Sequence, residues 1–537
     1  MCKERCKNLE RGQIKHMLNN RKDLKYKLII EGALVGLIAG GVMVLNRVLV
    51  DLLFAKFKDL YAWAREDYIG AIIIFALLII GGFIVGKMIR REPMISGSGI
   101  PQVEGMLSRN LKISWIKVLI YKFLGGILVL GSGLSVGKEG PSVQMGASIG
   151  QGFGKIFKRI TLEQKFLITA GASAGLAAAF NAPLSGVVFA LEEVHKNFSP
   201  IVLISAMIAS LTADFVLRQL LHAGLALNFG VQMQTLPLKY YWTLIILGIL
   251  IGIGGAIFSK GIVVAQNLYG KIKLPLEVKV IIPFVLTGVI AITFPVLLGG
   301  GHEFLMNLPG GKYSVIMLFT LLIIKFLFTI ICFGSGIPGG IFFPLLVLGG
   351  VIGDIYGIII CHSLGLSNIF ILNFIILAMA GNFAAIVKAP ITGILLIMEM
   401  TGSFEHLLSL SLVVIVSYTV SDLLKMEPIY ETLLDRLLKK IGYKKGEYVS
   451  SDKTLIDIVV ECGSEIEGKL VKDIALPERC LLVSIKRGEK EIIPRGYNKI
   501  IAGDYLVVMT SETEEVETYE ILEKISIANS CMKDNIN

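Results

Sequence analysis

Apolar runs long enough to cross a lipid bilayer recur between residues 28 and 425, and they leave few folds open to this chain. "YIGAIIIFALLIIGGFIVG" (68–86), "WTLIILGILIGIGGAIF" (242–258) and "VIMLFTLLIIKFLFTIICF" (315–333) approach or reach the roughly 20 residues that a spanning helix needs. Composition agrees. Of 537 residues 54% are hydrophobic and only 18% charged, against about 25% charged in a soluble domain. Other runs are shorter and interrupted by glycine, so the expectation is an all-α polytopic membrane protein with tilted, kinked and half-length helices.

The Lys- and Arg-rich segment 1–27 predicts a cytoplasmic N-terminus and an amphipathic helix, not a nucleic-acid-binding arm. No small-residue cleavage site follows it, which argues against a secretory signal. The seven cysteines contain no CxxC pair and the six histidines are scattered, so neither a disulfide framework nor a metal centre is expected. After about residue 440 the chain changes character. Residues 441–537 carry 18 acidic and 13 basic side chains, a balance of −5, while the remainder holds +15 of the total +10. Strand-like "LLVSIKRGEKEIIPRGYNKIIAGDYLVVM" (481–509), turns at Arg487–Glu489 and Gly503–Asp504, a short helix in "GKLVKDIALPERC" and a helix-like "TEEVETYEILEKI" predict a small cytoplasmic α+β domain. The boundaries expected are 1–27, 28–440 and 441–537.

Residues 131–141, "GSGLSVGKEGP", pose the chemical question, because Lys138 and Glu139 sit in a glycine-rich bend between apolar runs. A phosphate-binding loop fails twice: Ser132 occupies the first glycine position, and Glu139 stands where the magnesium-binding hydroxyl belongs. An internal repeat explains the bend better. "GSGLSVGKEGP" (131–141) lies over "GSGIPGGIFFP" (334–344) at an offset of 203, and "AAAFNAPLSGVVFALEE" (177–193) over "AAIVKAPITGILLIMEM" (384–400) at 207. Two matched blocks in one order imply an internal repeat with halves near 28–235 and 236–430, and in many transporters the broken helices of such repeats meet at the substrate site. The second "GSGIP", at 97–101, falls outside that register and is read as similar chemistry.

Helix N-termini present unpaired N–H groups and partial positive charge, and glycine lets backbone approach an ion closely. Turns at 97–101, 137–141 and 340–344 converging in low dielectric therefore suggest an anion site; close helix packing is the competing reason for the glycines.

"GSGIP" (97–101), "GKEGP" (137–141) and "GIFFP" (340–344), with "APLSGVVFALEE" between them, closely resemble the CLC chloride channels and proton-coupled chloride transporters over about residues 28–435. The resemblance implies an intramembrane inverted repeat of many tilted helices and a homodimer with one anion pathway per subunit, framed by Gly97, Gly99, Pro101, Gly137, Gly140, Pro141, Gly340 and Pro344. Ser98 resembles the serine whose hydroxyl holds the central anion, and Tyr430 the tyrosine that donates to the same ion. Backbone amides of Ile341 and Phe342 match further donors. Such neutral donors bind a weakly hydrated anion without trapping it. Glu139 falls on the family's external gating glutamate: ionised, it competes with the anion, and protonated, it swings away. Its counterpart in the second half is Phe342.

Glu192 overlays Glu399 and is read as structural, capping or bonding its own helix, whereas Glu193 overlays Met400 and matches the internal proton-transfer glutamate. Both ends of a proton route favour a proton–chloride antiporter over a passive channel on the same scaffold; Glu193 facing cytoplasmic water is the alternative. Lys122 matches a lysine behind the gate that could bias Glu139, or it snorkels to an interface. Lys138 stands where relatives carry arginine, and Lys325 and Lys388 are read as paired or snorkelling. Serine at position 98 implies chloride over nitrate. The tail resembles the C-terminal regulatory (RCK-type) domain of potassium-conductance regulators over "GKLVKDIALPERCLLVSIKRGEKEIIPRGYNKIIAGDYLVV", which implies dimerisation and cyclic di-adenylate (cyclic di-AMP) as a ligand, with Ile493, Pro494 and Arg495 as candidate surface. No enzyme is expected, and no cofactor beyond that ligand. The expected setting is a prokaryotic plasma membrane with both termini cytoplasmic and no nucleic-acid partner.

Overall fold

A computed structural model describes residues 2–537 apart from 109–110, 197, 223, 230–233, 442–452, 475, 478–479, 489, 512–514 and 527–537. Two compact units emerge, Met1–Leu437 and Leu438–Asn537.

The first half of the large unit runs α1 (Cys2–Glu66), α2 (Tyr68–Arg91), α3 (Ile100–Leu107), α4 (Trp115–Gly131), α5 (Glu139–Ile156), α6 (Thr161–Phe180), α7 (Pro183–Phe189) and α8 (Pro200–Leu221). The second repeats the order with α9 (Tyr241–Lys271), α10 (Leu276–Thr293), α11 (His302–Met306), α12 (Val315–Gly334), α13 (Phe342–Leu364), α14 (Ile371–Val387), α15 (Pro390–Thr401) and α16 (Leu407–Leu423). An unpaired α17 (Ile429–Lys440) follows. Among the described residues eight helices are long and apolar enough to cross a membrane. Others are far too short: α3 has 8 residues, α7 has 7 and α11 has 5. Side chains such as Ile72, Ile316 and Phe319 are exposed, as a lipid-facing surface requires. No break separates the basic N-terminal segment from the first span, since α1 is continuous from Cys2.

The same local devices recur in both halves. Helices α6 and α14 end on residues in the left-handed region, Asn181 (φ 55°) and Lys388 (φ 67°). Proline opens α7 and α15, where its missing N–H would have had no helical partner. Glycines in α5 and α6 let the backbones touch: a Cβ on Gly146 would lie 2.1 Å from the Gly171 carbonyl oxygen, and one on Gly171 2.1 Å from that of Gly146. Packing therefore explains these helical glycines, but not those of the turns.

The small unit is an antiparallel sheet, β1 (Lys453–Val459), β2 (Leu481–Arg487), β3 (Lys490–Ile492) and β4 (Tyr505–Ser511), in the order β1-β4-β2-β3, with α18 (Glu515–Ser526). Ile456, Ile458, Leu482, Ile485, Leu506, Val508 and Leu522 form its core. Strand β1 is an addition to the sequence reading. Only a single 3₁₀ turn, Val471–Asp473, stands where a short helix was expected in "GKLVKDIALPERC"; Pro477 lies past it, and Glu478 and Arg479 are outside the described residues. Glu489 of the predicted turn is likewise outside them. Arg487 grips the fully buried Asp504 through two hydrogen bonds of 2.7 Å.

Candidate functional site

Backbone hydrogen bonds join three glycine-rich turns that are far apart in sequence. Gly137 donates to Gly340 at 2.7 Å and Gly340 to Gly137 at 2.8 Å, while Gly97 donates to Ile337 and Gly339 to Gly97, both at 3.1 Å. Each turn opens a helix. Pro101 lies in the first turn of α3, Pro141 in that of α5 and Pro344 in that of α13, leaving the free amides of each N-terminus for another acceptor. Gly99 adopts φ 99°, which side-chain-bearing residues rarely do. At Gly140 the demand is for space, because a Cβ there would sit 2.3 Å from Ser98 Oγ.

Ser98 and Tyr430 are buried, and neither hydroxyl has a hydrogen-bond partner among the described residues. The Tyr430 phenol faces the Ser98 side chain without a bond of ordinary geometry, and its charged neighbours are Glu139 and Glu193. Glu139 is buried at the first position of α5. Its carboxylate folds back over Gly137 and lies against its own amide and that of Phe343, with Oε2 unpartnered. Ile341 caps α13 and Phe342 begins it. The Phe342 ring packs against Phe180, Phe189 and Phe383 at centroid distances of 4.9, 5.8 and 4.6 Å. Where the first half carries a carboxylate, the second thus fills the space with an aromatic plug.

Glu193 sits in a single π-helical turn, Ala190–Val194, of the kind often found at functional sites. It is buried with Oε1 unpartnered, near Glu104, Lys196, Glu431 and Glu192. Glu192 points elsewhere. It accepts from the Ile391 and Thr392 amides at 3.2 and 2.8 Å and from Thr392 Oγ1 at 2.7 Å. Glu399 reciprocates, accepting from the Leu184 and Ser185 amides at 3.0 and 2.7 Å and from Ser185 Oγ at 2.5 Å. The expectation that Glu192 bonds its own helix is corrected: each glutamate caps the other half's helix, so α7 and α15 run antiparallel, as an inverted repeat requires.

Two lysines differ from their sequence reading too. Lys122 is fully buried, so it does not snorkel, and its Nζ donates to Ile95 and Gly97 carbonyls at 2.8 and 2.7 Å. It braces the Ser98 turn rather than meeting Glu139. Lys325 is equally buried and donates to Leu297 and Gly299 at 2.9 and 2.7 Å. Lys388 is paired, 3.4 Å from Asp422. Lys138 caps α5 and makes no hydrogen bond or ion pair with a described residue.

Residues 81–422 match the family described as voltage gated chloride channel. This chain belongs to the voltage gated chloride channel (CLC) family. Among similar proteins, the H(+)/Cl(-) exchange transporter ClcA of Vibrio parahaemolyticus is 36% identical over 435 residues, covering 78% of this chain and 92% of that one. The ClcA of Yersinia pestis is 32% identical over 459 residues, covering 82% and 94%. A crystal structure of a slow cyanobacterial Cl−/H+ antiporter superposes with a TM-score of 0.74 at 30% identity, over 77% of this chain and 99% of that one. Residues 455–522 match the TrkA-C domain.

In this CLC chain the structure brings Ser98, Glu139, Glu193, Ile341, Phe342 and Tyr430 to one region. Ile493, Pro494 and Arg495 lie in the separate small unit, just past β3, with Ile493 exposed and the Arg495 amide bonded to Asn498 Oδ1 at 2.7 Å. Sequence reasoning missed two contributors. The Phe343 amide, one residue past the donors inferred from the motif, meets Glu139. Lys196 bonds Glu104 at 2.6 Å and also pairs with Glu431, clamping the segment after Glu193 to α3 and α17. Its only sequence signal was a lysine three residues after Glu193.

Proposed function

We propose that this CLC chain exchanges chloride for protons across a prokaryotic plasma membrane, as a homodimer with an anion pathway in each subunit and both termini cytoplasmic. The observation that carries this reading is the Tyr430 hydroxyl, buried and unpaired, with Ser98, Glu139 and Glu193 around it. A buried O–H calls for an acceptor. Chloride supplies one to Ser98 and Tyr430 together, and the amides of Ile341 and Phe342 add donors without a fixed charge to trap it. Gly97, Gly99, Gly137, Gly140 and Gly340, with Pro101, Pro141 and Pro344, shape the turns; Lys122 steadies the first of them, Lys138 adds positive charge, and Glu192 ties the two halves together.

Ionised, the Glu139 carboxylate occupies amides that an anion would use, and so competes with it. Protonated, it loses the charge that held it there and leaves the position to chloride. Glu193, the other charged neighbour of Tyr430, takes up protons from the cytoplasmic side and passes them towards Glu139. Chloride is therefore the transported substrate, and proton occupancy of Glu139 times its passage.

The small unit, within 441–537, regulates transport by binding cyclic di-AMP, with Ile493–Arg495 contributing to the ligand surface. Titration calorimetry on the full-length protein is expected to register cyclic di-AMP binding that Arg495→Ala weakens; no heat at high nucleotide concentration contradicts the ligand assignment.

Liposome flux tests the transport reading. Glu139→Gln and Glu193→Gln are each expected to abolish proton movement while chloride continues to cross. Intact proton flux in Glu193→Gln would remove that residue from the route, and chloride flux that carries no protons in the parent would make the chain a passive channel.

A further inference from the structure

Helices α2 and α10 pack tightly and antiparallel. A Cβ on Gly86 would sit 2.5 Å from Glu277 Cα, one on Gly82 2.9 Å from Ile281 Cα and one on Gly288 2.7 Å from a Phe75 ring carbon, so residues later in α2 meet residues earlier in α10. At about 100° per residue, Ile72, Ile79, Phe83, Lys87 and Arg90 fall to one side of the Gly82–Gly86 contact line, and Val278, Ile282 and Val289 fall to the same-sense side of Glu277 and Ile281. Because the helices are antiparallel, the two stripes flank one groove. All eight of these residues are exposed.

The groove is apolar along most of its length and basic where α2 ends and α10 begins. Residues 87–92 and 271–279 hold six cations against two carboxylates, Glu92 and Glu277. Glu277 is already answered: Arg90 bonds it at 2.8 Å through a single Nη, and Lys87 is its further cationic neighbour. Lys279 turns away to the Tyr269 carbonyl at 3.0 Å. Lys87 and Arg91 make no hydrogen bond or ion pair with a described residue, and the other N–H groups of Arg90 are likewise unused. Phe83 and Ile79 lie about 6 and 12 Å along the helix from Lys87, within the depth of an acyl chain in one leaflet. Topology alone gathers Lys and Arg on one membrane side. A groove between two spans that leads from unpaired cations straight onto apolar stripes adds a place for the chain to the charge for the headgroup.

We propose that this groove binds an anionic phospholipid, with its phosphate held by Lys87, Arg91 and the unused N–H groups of Arg90, and an acyl chain lying along Phe83, Ile79, Val278 and Ile282. A soluble anion would use the cations and leave the stripes idle; a phospholipid uses both. Its placement in the inner leaflet rests on the cytoplasmic N-terminus proposed above, whereas the site itself depends neither on that orientation nor on the exchange reading. From its basic end α2 leads through the turn Pro93–Ile95 to Ser98, so the lipid anchors the element that feeds the chloride donors.

Phosphatidylglycerol with a photoactivatable group on its acyl chain is the probe, in liposomes holding the full-length protein, with labelled peptides located by mass spectrometry. Label is expected on residues 79–83 and 278–282, and phosphatidylcholine with the same chain should label them far less. Lys87→Gln combined with Arg91→Gln leaves the Arg90–Glu277 pair intact and should cut labelling about tenfold to thirtyfold, since each cation near a lipid surface contributes roughly fivefold. Lys112→Gln combined with Lys117→Gln, which removes two exposed cations by the start of α4 instead, should leave the label in place. Glycerol phosphate should not displace it; displacement would mean that the cations take a free anion, and the lipid assignment would fall. Equal labelling by the two lipids, equal loss in both double variants, or no label on either stripe, as when a second copy covers this face, overturns the site. None of these outcomes alters the exchanger reading, which flux tests separately.

Discussion

Glu192 and Glu193 are neighbours with different work, and substitution should separate them. Glu192 holds two amides and a hydroxyl of the opposite half, and hydrogen bonds to charged groups contribute about 1.5 to 3 kcal/mol each before compensation. Glu192→Ala is therefore expected to destabilise the protein by about 2 to 3 kcal/mol, seen as a lower unfolding temperature in detergent, with Glu399→Ala matching it. Glu193→Gln removes no such bond and should leave that temperature near the parent's. If Glu193→Gln proved the more destabilising of the two, the division of roles would be wrong. That Glu192 is shared by both halves and Glu193 is not could be read from the repeat register. Which helix Glu192 caps could not, because the reciprocal pairing with Ile391 and Thr392 exists only after the halves fold against each other.

At the scale of elements, the turns and the clamp around Glu193 carry the site. Gly140→Ala would push a methyl to 2.3 Å from Ser98 Oγ, so chloride binding should fall at least tenfold in calorimetry, roughly 1.4 kcal/mol or more; unchanged affinity would mean that Ser98 is not a ligand. Among the described residues, Lys196 is the cation facing Glu193, against Glu104, Glu431 and Glu192, with Asp435 a further acidic neighbour of Glu104. Removing it leaves carboxylates facing one another, and such a group holds protons more readily. Lys196→Gly is the clean variant, since Lys196 has φ 54° and glycine keeps that turn without strain. Its proton flux should reach half-maximum at higher pH than the parent's, and Lys196→Arg should restore the profile. An unmoved profile would reduce the clamp to packing. The glycine turns were legible because their spacing and their repeat lie within single stretches of sequence. Lys196 was not, because Glu104 and Glu431, its partners in α3 and α17, are distant in sequence. Lys122, read as biasing Glu139 or snorkelling, and Lys325, read as paired or snorkelling, were misplaced for a similar reason: their partners are backbone carbonyls, which no side-chain pattern announces.

For the whole molecule, the internal repeat and the change from a basic membrane unit to an acidic tail were both visible in the order of residues, whereas the inversion of the repeat shows in the reciprocal capping by Glu192 and Glu399. Strand β1 escaped notice because "KTLIDIV" is short and pairs with β4, some 50 residues later. The tail's own fold rests on Arg487 and the buried Asp504, so Asp504→Asn should cost about 2 kcal/mol, discounted from the loss of a fully buried pair because Arg487 is partly exposed; in full-length protein it should weaken cyclic di-AMP binding while basal exchange persists. The central claim, that chloride and proton movements are coupled within one pathway, is tested most directly in sealed liposomes started at equal pH on both sides and given only a chloride gradient. Chloride leaving down its gradient should draw protons inward until they stand against a measurable pH gradient, and Glu193→Gln should abolish that uptake while chloride still leaves. Chloride efflux from the parent with no uphill proton movement would contradict the account.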